Sequence, residues 1–200
     1  MTMRSVAAAI GTAPASLYRY VQTRDELVQL MADHVYGEFS FQEPGSGDPI
    51  EDLLRIARQG RAVYNRHPWL LDVTATESLP GPNAVAFIDH ALAALSGTSL
   101  SGSAKLETVG LFSGALRLTA QTEIGQQRAG QNAAQWQGSL AAYLLAIAAD
   151  GRHPHLAAAL ADAASAAGGP GPAPGEALFD RAMARILTGL LAAPASAAGS

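Results

Sequence analysis

Between Met3 and Ala192 apolar residues return at intervals of three and four, interrupted mainly by glycine and proline. That is the spacing of one face of an α-helix, and no convincing stretch alternates with the period of two that a half-buried strand requires. The pattern predicts helices over 3–10, 14–21, 24–41, 49–66, 68–78, 82–96, 102–128, 132–149, 154–166 and 176–192. GGPGPAPG, residues 168–175, reads as a loop, because its prolines and glycines oppose both helix continuation and a hydrogen-bonded strand. The chain end, 195–200, is expected to be a flexible tail. An all-α fold follows.

Two of these segments carry wide apolar faces. In 176–192 the face holds Phe179, Met183, Ile186, Leu187, Leu190 and Leu191. In 102–128 it holds Leu106, Val109, Phe112, Leu116 and Thr119, while Gly110 and Gly114 would let a neighbouring backbone approach closely. Periodicity leaves open whether these faces are buried within one chain or against a second copy.

Composition narrows the class. A chain of 200 residues, 48% hydrophobic and 15% charged, has enough apolar surface for a packed core without covalent staples. It contains no cysteine, which removes disulfides, thiolate metal sites and cysteine nucleophiles. The longest nearly continuous apolar run, Leu140 to Ala149, falls well short of the roughly 20 residues of a membrane span. No charged-then-apolar signal opens the chain, so a cytoplasmic protein without a membrane partner is expected.

Charge is unevenly distributed. Residues 1–24 contain Arg4, Arg19 and Arg24 and no acid, so they carry +3 and leave −7 for the rest. An acid-free end on an acidic body implies that the end faces an anion. Its local pattern supplies the geometry. A helix over 3–10 places Val6, Ala7 and Ile10 together, and Gly11 ends it. Pro14 suits the first turn of a second helix, whose Leu17 and Val21 point back at the first. Two short helices joined by a tight glycine-containing turn form a helix-turn-helix, whose second helix can enter a DNA major groove. Ser16, Tyr18 and Tyr20 then lie off the packed face, where hydroxyls can bond phosphates or base edges and ring carbon can contact thymine methyls. Arg4, Arg19 and Arg24 can neutralise phosphate, and Arg4 could alternatively reach a guanine edge. Thr23 and Glu26 have the T-x-x-E spacing of a capping box, so a third helix starts beside the same surface.

The stretch TMRSVAAAIGTAPASLYRYVQTRDELVQLMADHV closely resembles the helix-turn-helix of TetR-family transcriptional repressors. A threonine- and arginine-led helix, a small-residue turn, the recognition segment SLYRYV and a helix opening on D-E-L follow in that family's order. NRHPWLL (65–71), GPNAVAFIDHALAAL (81–95), HPHLAAAL (153–160) and FDRAMARILTGL (179–190) more loosely resemble the ligand-binding region of its tetracycline-repressor branch. The resemblance implies a helix-turn-helix domain over 1–40 and a ligand-binding and dimerisation domain over 41–194. It implies base-region contacts from Arg4, Ser16, Tyr18 and Tyr20 and a phosphate contact from Arg24. It also implies a four-helix dimer interface from 102–128 and 176–192, built on Leu106, Val109, Leu116, Phe179, Met183, Ile186, Leu187 and Leu190.

Two departures accompany the resemblance. Family members place a full helix before the threonine that Thr2 matches, and it covers the apolar face of the next two helices. The three-helix unit is therefore expected to be truncated here, with the true start lying upstream. Ala13, before Pro14, stands where the family usually has a capping Ser or Thr, a loss of about 1 kcal/mol.

A ligand-gated dimer accounts for the remaining chain. Bulky or polar groups set into apolar helices mark candidate effector contacts: His67, Trp69, Phe87, His90, Phe112, Arg117, Gln121, Glu123, Trp136 and Tyr143. The expected function is a dimeric repressor that binds a palindromic double-stranded DNA operator and is released by a small-molecule effector. The alternative within the family is a truncated, DNA-binding-deficient ligand-binding or heterodimerising protein. An enzyme is not expected, nor is a cofactor or a metal. Asp150, His153 and His155 offer D-x-x-H-x-H, but Pro154 starts a helix between the rings and no third histidine is linked to them by spacing. Ser113 lacks the G-x-S-x-G elbow, and Ser103 with Lys105 lacks the S-x-x-K spacing.

Overall fold

The computed structural model describes residues 2–41, 46–73, 79–128, 130, 133–166 and 175–192, and all regular structure among them is helical. The order is α1 (Met3–Ala9), α2 (Pro14–Leu17), α3 (Arg24–Tyr36), α4 (Pro49–Arg66), a 3-10 turn (Pro68–Asp72), α5 (Pro82–Ala94), α6 (Gly102–Arg128), α7 (Ala133–Ala148), α8 (Pro154–Ala166) and α9 (Gly175–Ala192).

α4 is the central element. Asp48 caps it by accepting from the Ile50 amide at 2.9 Å, and Pro49 occupies the first turn, where its missing N–H costs nothing. Leu53, Leu54, Ile56, Ala57 and Val63 are all buried, and α4 packs against α5, α6 and α9. Gly60 permits the close approach of α6, since a Cβ there would lie 2.5 Å from Leu116 Cδ2. Two ion pairs cross the same seams. Arg58 donates to Asp180 of α9 at 2.9 Å, and Arg61 donates to Glu123 of α6 at 2.7 Å while its guanidinium covers the Phe179 ring.

The end of α4 follows from one residue pair. Pro68 excludes right-handed helical backbone at His67, which sits at φ −125° and ψ 65°, so the helix stops and a 3-10 turn follows. The helix expected over 68–78 is thus a five-residue 3-10 turn, with residues 74–78 outside the described residues. α3 is likewise shorter than the expected 24–41, ending at Tyr36. The loop expected over 168–175 lies outside the described residues apart from Gly175, which begins α9, and the tail 195–200 lies wholly outside them.

A second, smaller cluster holds the N-terminal helices together: Met3, Ala7, Leu17 and Val21 are buried, with Val6 and Leu27 packed against them. Leu27 belongs to α3, so the third helix closes this cluster with its first turns. Its later turns carry Ala32 and Val35, which belong to the main core.

Candidate functional site

α1 is fixed at both ends by its own sequence. The Thr2 hydroxyl accepts from the Ser5 amide at 3.2 Å, and the Ser5 hydroxyl accepts from the Thr2 amide at 3.1 Å. This is a reciprocal capping box. At the other end Gly11 has φ +70°, the Thr12 amide donates to the Ala7 carbonyl at 2.9 Å, and the Gly11 amide donates to that of Ala8 at 3.2 Å. Those two bonds define a Schellman stop, which turns the chain toward α2.

α2 is shorter than the expected 14–21. Its N-cap residue Ala13 makes no side-chain bond, and regular α-helix covers only Pro14–Leu17. Beyond Tyr18 the winding tightens: Arg19 donates to the Ser16 carbonyl at 3.3 Å, and Tyr20 donates to that of Leu17 at 3.0 Å. Together with the Val21 amide, which donates to the Leu17 carbonyl at 3.1 Å, these bonds make a mixed helical turn that keeps the side chains in helical order. Leu17 and Val21 face the small core, whereas Tyr18 is 49% and Tyr20 82% exposed. Ser16 is half-buried, and Arg4, Arg19 and Arg24 are exposed. The helix-turn-helix thus presents on its outside the two phenols and three guanidinium groups singled out from the sequence.

α3 starts beside them. Thr23 accepts from the Glu26 amide at 3.0 Å, as the T-x-x-E spacing predicts, but the Glu26 carboxylate takes the Gln22 amide at 2.7 Å in place of that of Thr23. Arg24 meets Asp25 at 3.3 Å on an exposed surface. A solvated pair of this kind contributes little and leaves the guanidinium free to exchange partners.

The far half of α3 walls a cavity of about 330 Å³ enclosed with α4, α5 and α6 and the segments before α5. Phe39, Phe87 and Tyr36 form an aromatic side, with Phe39 and Phe87 edge to face at 5.0 Å and Tyr36 and Phe87 likewise at 5.7 Å. Val35, Val63, Leu70 and Leu116 supply aliphatic wall. The polar lining is sparse: Gln29, Asp33, Tyr36, Tyr64, Ser113 and Arg117. Burial raises the pKa of Tyr36 and of Tyr64 above 10.0, so both phenols are protonated at neutral pH. Arg117 donates to the carbonyls of Leu71 at 2.5 Å and Val73 at 3.1 Å, tying α6 to the 3-10 turn.

Asp33 belongs to the cavity wall and also to the α3–α5 joint. Its carboxylate accepts from the backbone amides of Asn83 and Ala84, each at 3.0 Å, and so caps α5 from another helix. Gly81 makes room for it, because a Cβ there would sit 2.3 Å from Asp33 Cγ.

Of the candidate effector contacts, Phe87 and Arg117 line the cavity. The others lie elsewhere. His67 bonds Glu38 at 2.8 Å and packs edge-on to Trp69; His90 packs against Phe41; Phe112 is wholly buried in the core. Glu123 is held by Arg61, and Gln121, Trp136 and Tyr143 are exposed. Asp33, Tyr36 and Tyr64 were not anticipated. A polar residue inside the apolar stripe near the end of α3 or α4 was the signal available for them, and it is weak until the helices are brought together.

Of the eight residues assigned to a dimer interface, Val109, Leu116, Phe179, Met183 and Leu187 are buried within the single chain, where α6 and α9 pack on α4 and on each other. Leu106 and Ile186 are exposed and Leu190 is half-buried. The opposite face of α6 exposes Leu111 (60%) and Leu118 (64%), with Gly114 between them, Gly110 and Gly125 to either side, and open space above each glycine. Asp150 is engaged by Arg152 at 2.7 Å, and no group of three or more potential metal ligands occurs among the described residues. No described helix is long and apolar enough to cross a membrane.

Residues 41–193 match the family described as Tetracyclin repressor-like, C-terminal domain, and the chain belongs to the TetR family of transcriptional regulators. It is 32% identical over 164 residues to the HTH-type transcriptional repressor DrrR1 of Streptomyces coeruleorubidus, an alignment covering 78% of this chain and 60% of that protein. It is 32% identical over 95 residues to an HTH-type transcriptional regulator of Saccharopolyspora erythraea, covering 48% of this chain and 40% of that one. The matched region therefore spans at most 60% of either relative's length. Among solved structures, the Streptomyces coelicolor TetR family protein ActR in complex with actinorhodin superposes with a TM-score of 0.77 at 25% identity, covering 100% of this chain and 89% of that one.

Proposed function

We propose that this chain is a ligand-responsive transcriptional repressor whose N-terminal helix-turn-helix reads double-stranded DNA and whose cavity receives the small molecule that releases it. One observation carries the reading: α3, 13 residues long, starts beside the exposed tyrosines and arginines and ends as a wall of the cavity. A ligand that shifts α3 at Tyr36 also shifts the end that supports Val21 and Leu17. Tyr18 and Tyr20, with Arg4 and Ser16, are the base-region groups; Arg19 and Arg24 contact phosphate. The similarity to ActR, solved with actinorhodin, supports a cavity that takes an organic effector.

Two copies are required for a palindromic operator, because half-sites one helical turn apart need two recognition segments at a fixed distance. Leu111 and Leu118, exposed on one face of α6 with Gly114 between them, are the apolar groups on which a second copy packs. The effector acts only to the extent that it prefers the spacing that does not fit DNA.

The test is fluorescence anisotropy of the chain with duplex from upstream of its own coding region and with scrambled duplex, across a salt series. Preference for the upstream duplex with a steep salt dependence supports the repressor. A folded dimer that binds neither duplex points to the DNA-binding-deficient alternative.

A further inference from the structure

The polar groups around the cavity are unbalanced in favour of donors. The Asp33 carboxylate already accepts three hydrogen bonds, two from the amides at the start of α5 and one from the Asn83 side chain. It is the one acid in the lining among the described residues. The Ser113 hydroxyl donates to the Val109 carbonyl at 2.8 Å, so its proton is committed. Tyr36 and Tyr64 both line the cavity, and burial keeps their phenols protonated, so both can offer an O–H to an incoming acceptor. Arg117 directs two N–H groups at the Leu71 and Val73 carbonyls, out of five on a guanidinium. Both of these partners are neutral, and no carboxylate among the described residues pairs with it, unlike Arg58, which holds Glu51 and Asp180, and Arg61, which holds Glu123.

A half-buried guanidinium with no counter-charge among the described residues, beside two protonated phenols and under a wall of three aromatic rings, is complementary to one kind of molecule. We infer that the effector is a flat aromatic acid, its ring system lying against Phe39, Phe87 and Tyr36 and its anionic oxygen received by Arg117 and the Tyr36–Tyr64 pair. The inference rests on the cavity being the effector site. A neutral isostere would leave the Arg117 charge unmatched and lose the charge-assisted bonds.

The experiment is calorimetric titration of the full chain with 2-naphthoic acid and with 2-naphthamide, its neutral isostere, at pH 7. The acid is expected to bind about tenfold or more tightly than the amide. Arg117→Gln should bring the two affinities to within about twofold by weakening the acid, whereas Arg117→Lys, which keeps the charge, should retain part of the preference. Equal binding of acid and amide by the unaltered chain overturns the anionic effector while leaving the cavity as the site. Retention of the full preference in Arg117→Gln overturns the role of Arg117. Binding of neither compound overturns the cavity reading itself. Should Arg117→Gln fail to fold because the 3-10 turn loses its tether, the acid-to-amide ratio of the unaltered chain and of Arg117→Lys still decides the matter.

Discussion

Asp33 on α3 grips Asn83 on α5 at two points, through the backbone amide to Oδ1 and through the side-chain amide to Oδ2, each at 3.0 Å. The aspartate does for α5 what an N-cap residue does for its own helix, but from an element that starts next to the helix-turn-helix. It thereby ties the position of α3 to the cavity's opposite wall.

Gly81→Ala should destabilise the chain by about 1–2 kcal/mol, since the new methyl displaces the carboxylate that caps α5. In an Asp33→Ala background the obstacle is gone, so the same substitution should cost far less. Urea unfolding of the two single variants and the double variant measures the coupling; additive losses would mean that the close approach is irrelevant.

For the DNA-reading surface, Tyr18→Ala should reduce specific binding by about 1–3 kcal/mol and spare non-specific binding. Arg24→Ala should weaken all duplexes alike and lower the salt slope by about one. Anisotropy against upstream and scrambled duplexes separates the two. An equal loss on both duplexes in the tyrosine variant would remove its base-reading role.

Leu118→Asp, at an exposed position, should leave the helical content intact and shift the sedimentation of the chain from dimer to monomer. Met183→Asp, at a fully buried one, should unfold it, because a carboxylate would enter the core without a partner. A Leu118→Asp chain that remains dimeric would place the interface on another face.

The buried tyrosine pair gives a pH dependence with a definite sign. Burial raises the pKa of Tyr36 and Tyr64 above the 10.0 of a free phenol, so the unfolded chain loses these protons first. Their contribution to stability is complete below pH 10 and is lost as pH rises through the folded-state values. Denaturation midpoints should therefore fall on the alkaline side, and Tyr36→Phe with Tyr64→Phe should flatten that fall. Absorbance at the phenolate band checks which residues titrate late.

Local chemistry made the helix-turn-helix legible. Gly11, Pro14 and the Leu17–Val21 pair act over a few residues, and each is found in the role its spacing implies, although regular α2 ends after four residues; the Thr2–Ser5 capping box was not read from the sequence. Of the side of α6 that its periodicity marks as apolar, Val109, Phe112 and Leu116 are buried, whereas Leu106 is exposed. What periodicity lacks is the identity of the partner. Val109 and Leu116 are buried within the same chain, Leu116 against Gly60 of α4, while Leu111 and Leu118, which break the stripe, face outward.

The sequence by itself determined an all-helical chain, its basic and acid-free end, and the tyrosines and arginines set outside a small helix pair, because caps, turns and periodicity are short-range. Only the tertiary structure decided the cavity. Tyr36 and Tyr64 are 28 positions apart in the chain, and Asp33 and Asn83 are 50 apart. Whether a polar group on a helix meets water, a core or a neighbouring helix end depends on how four helices cross, and no local pattern of residues encodes that crossing.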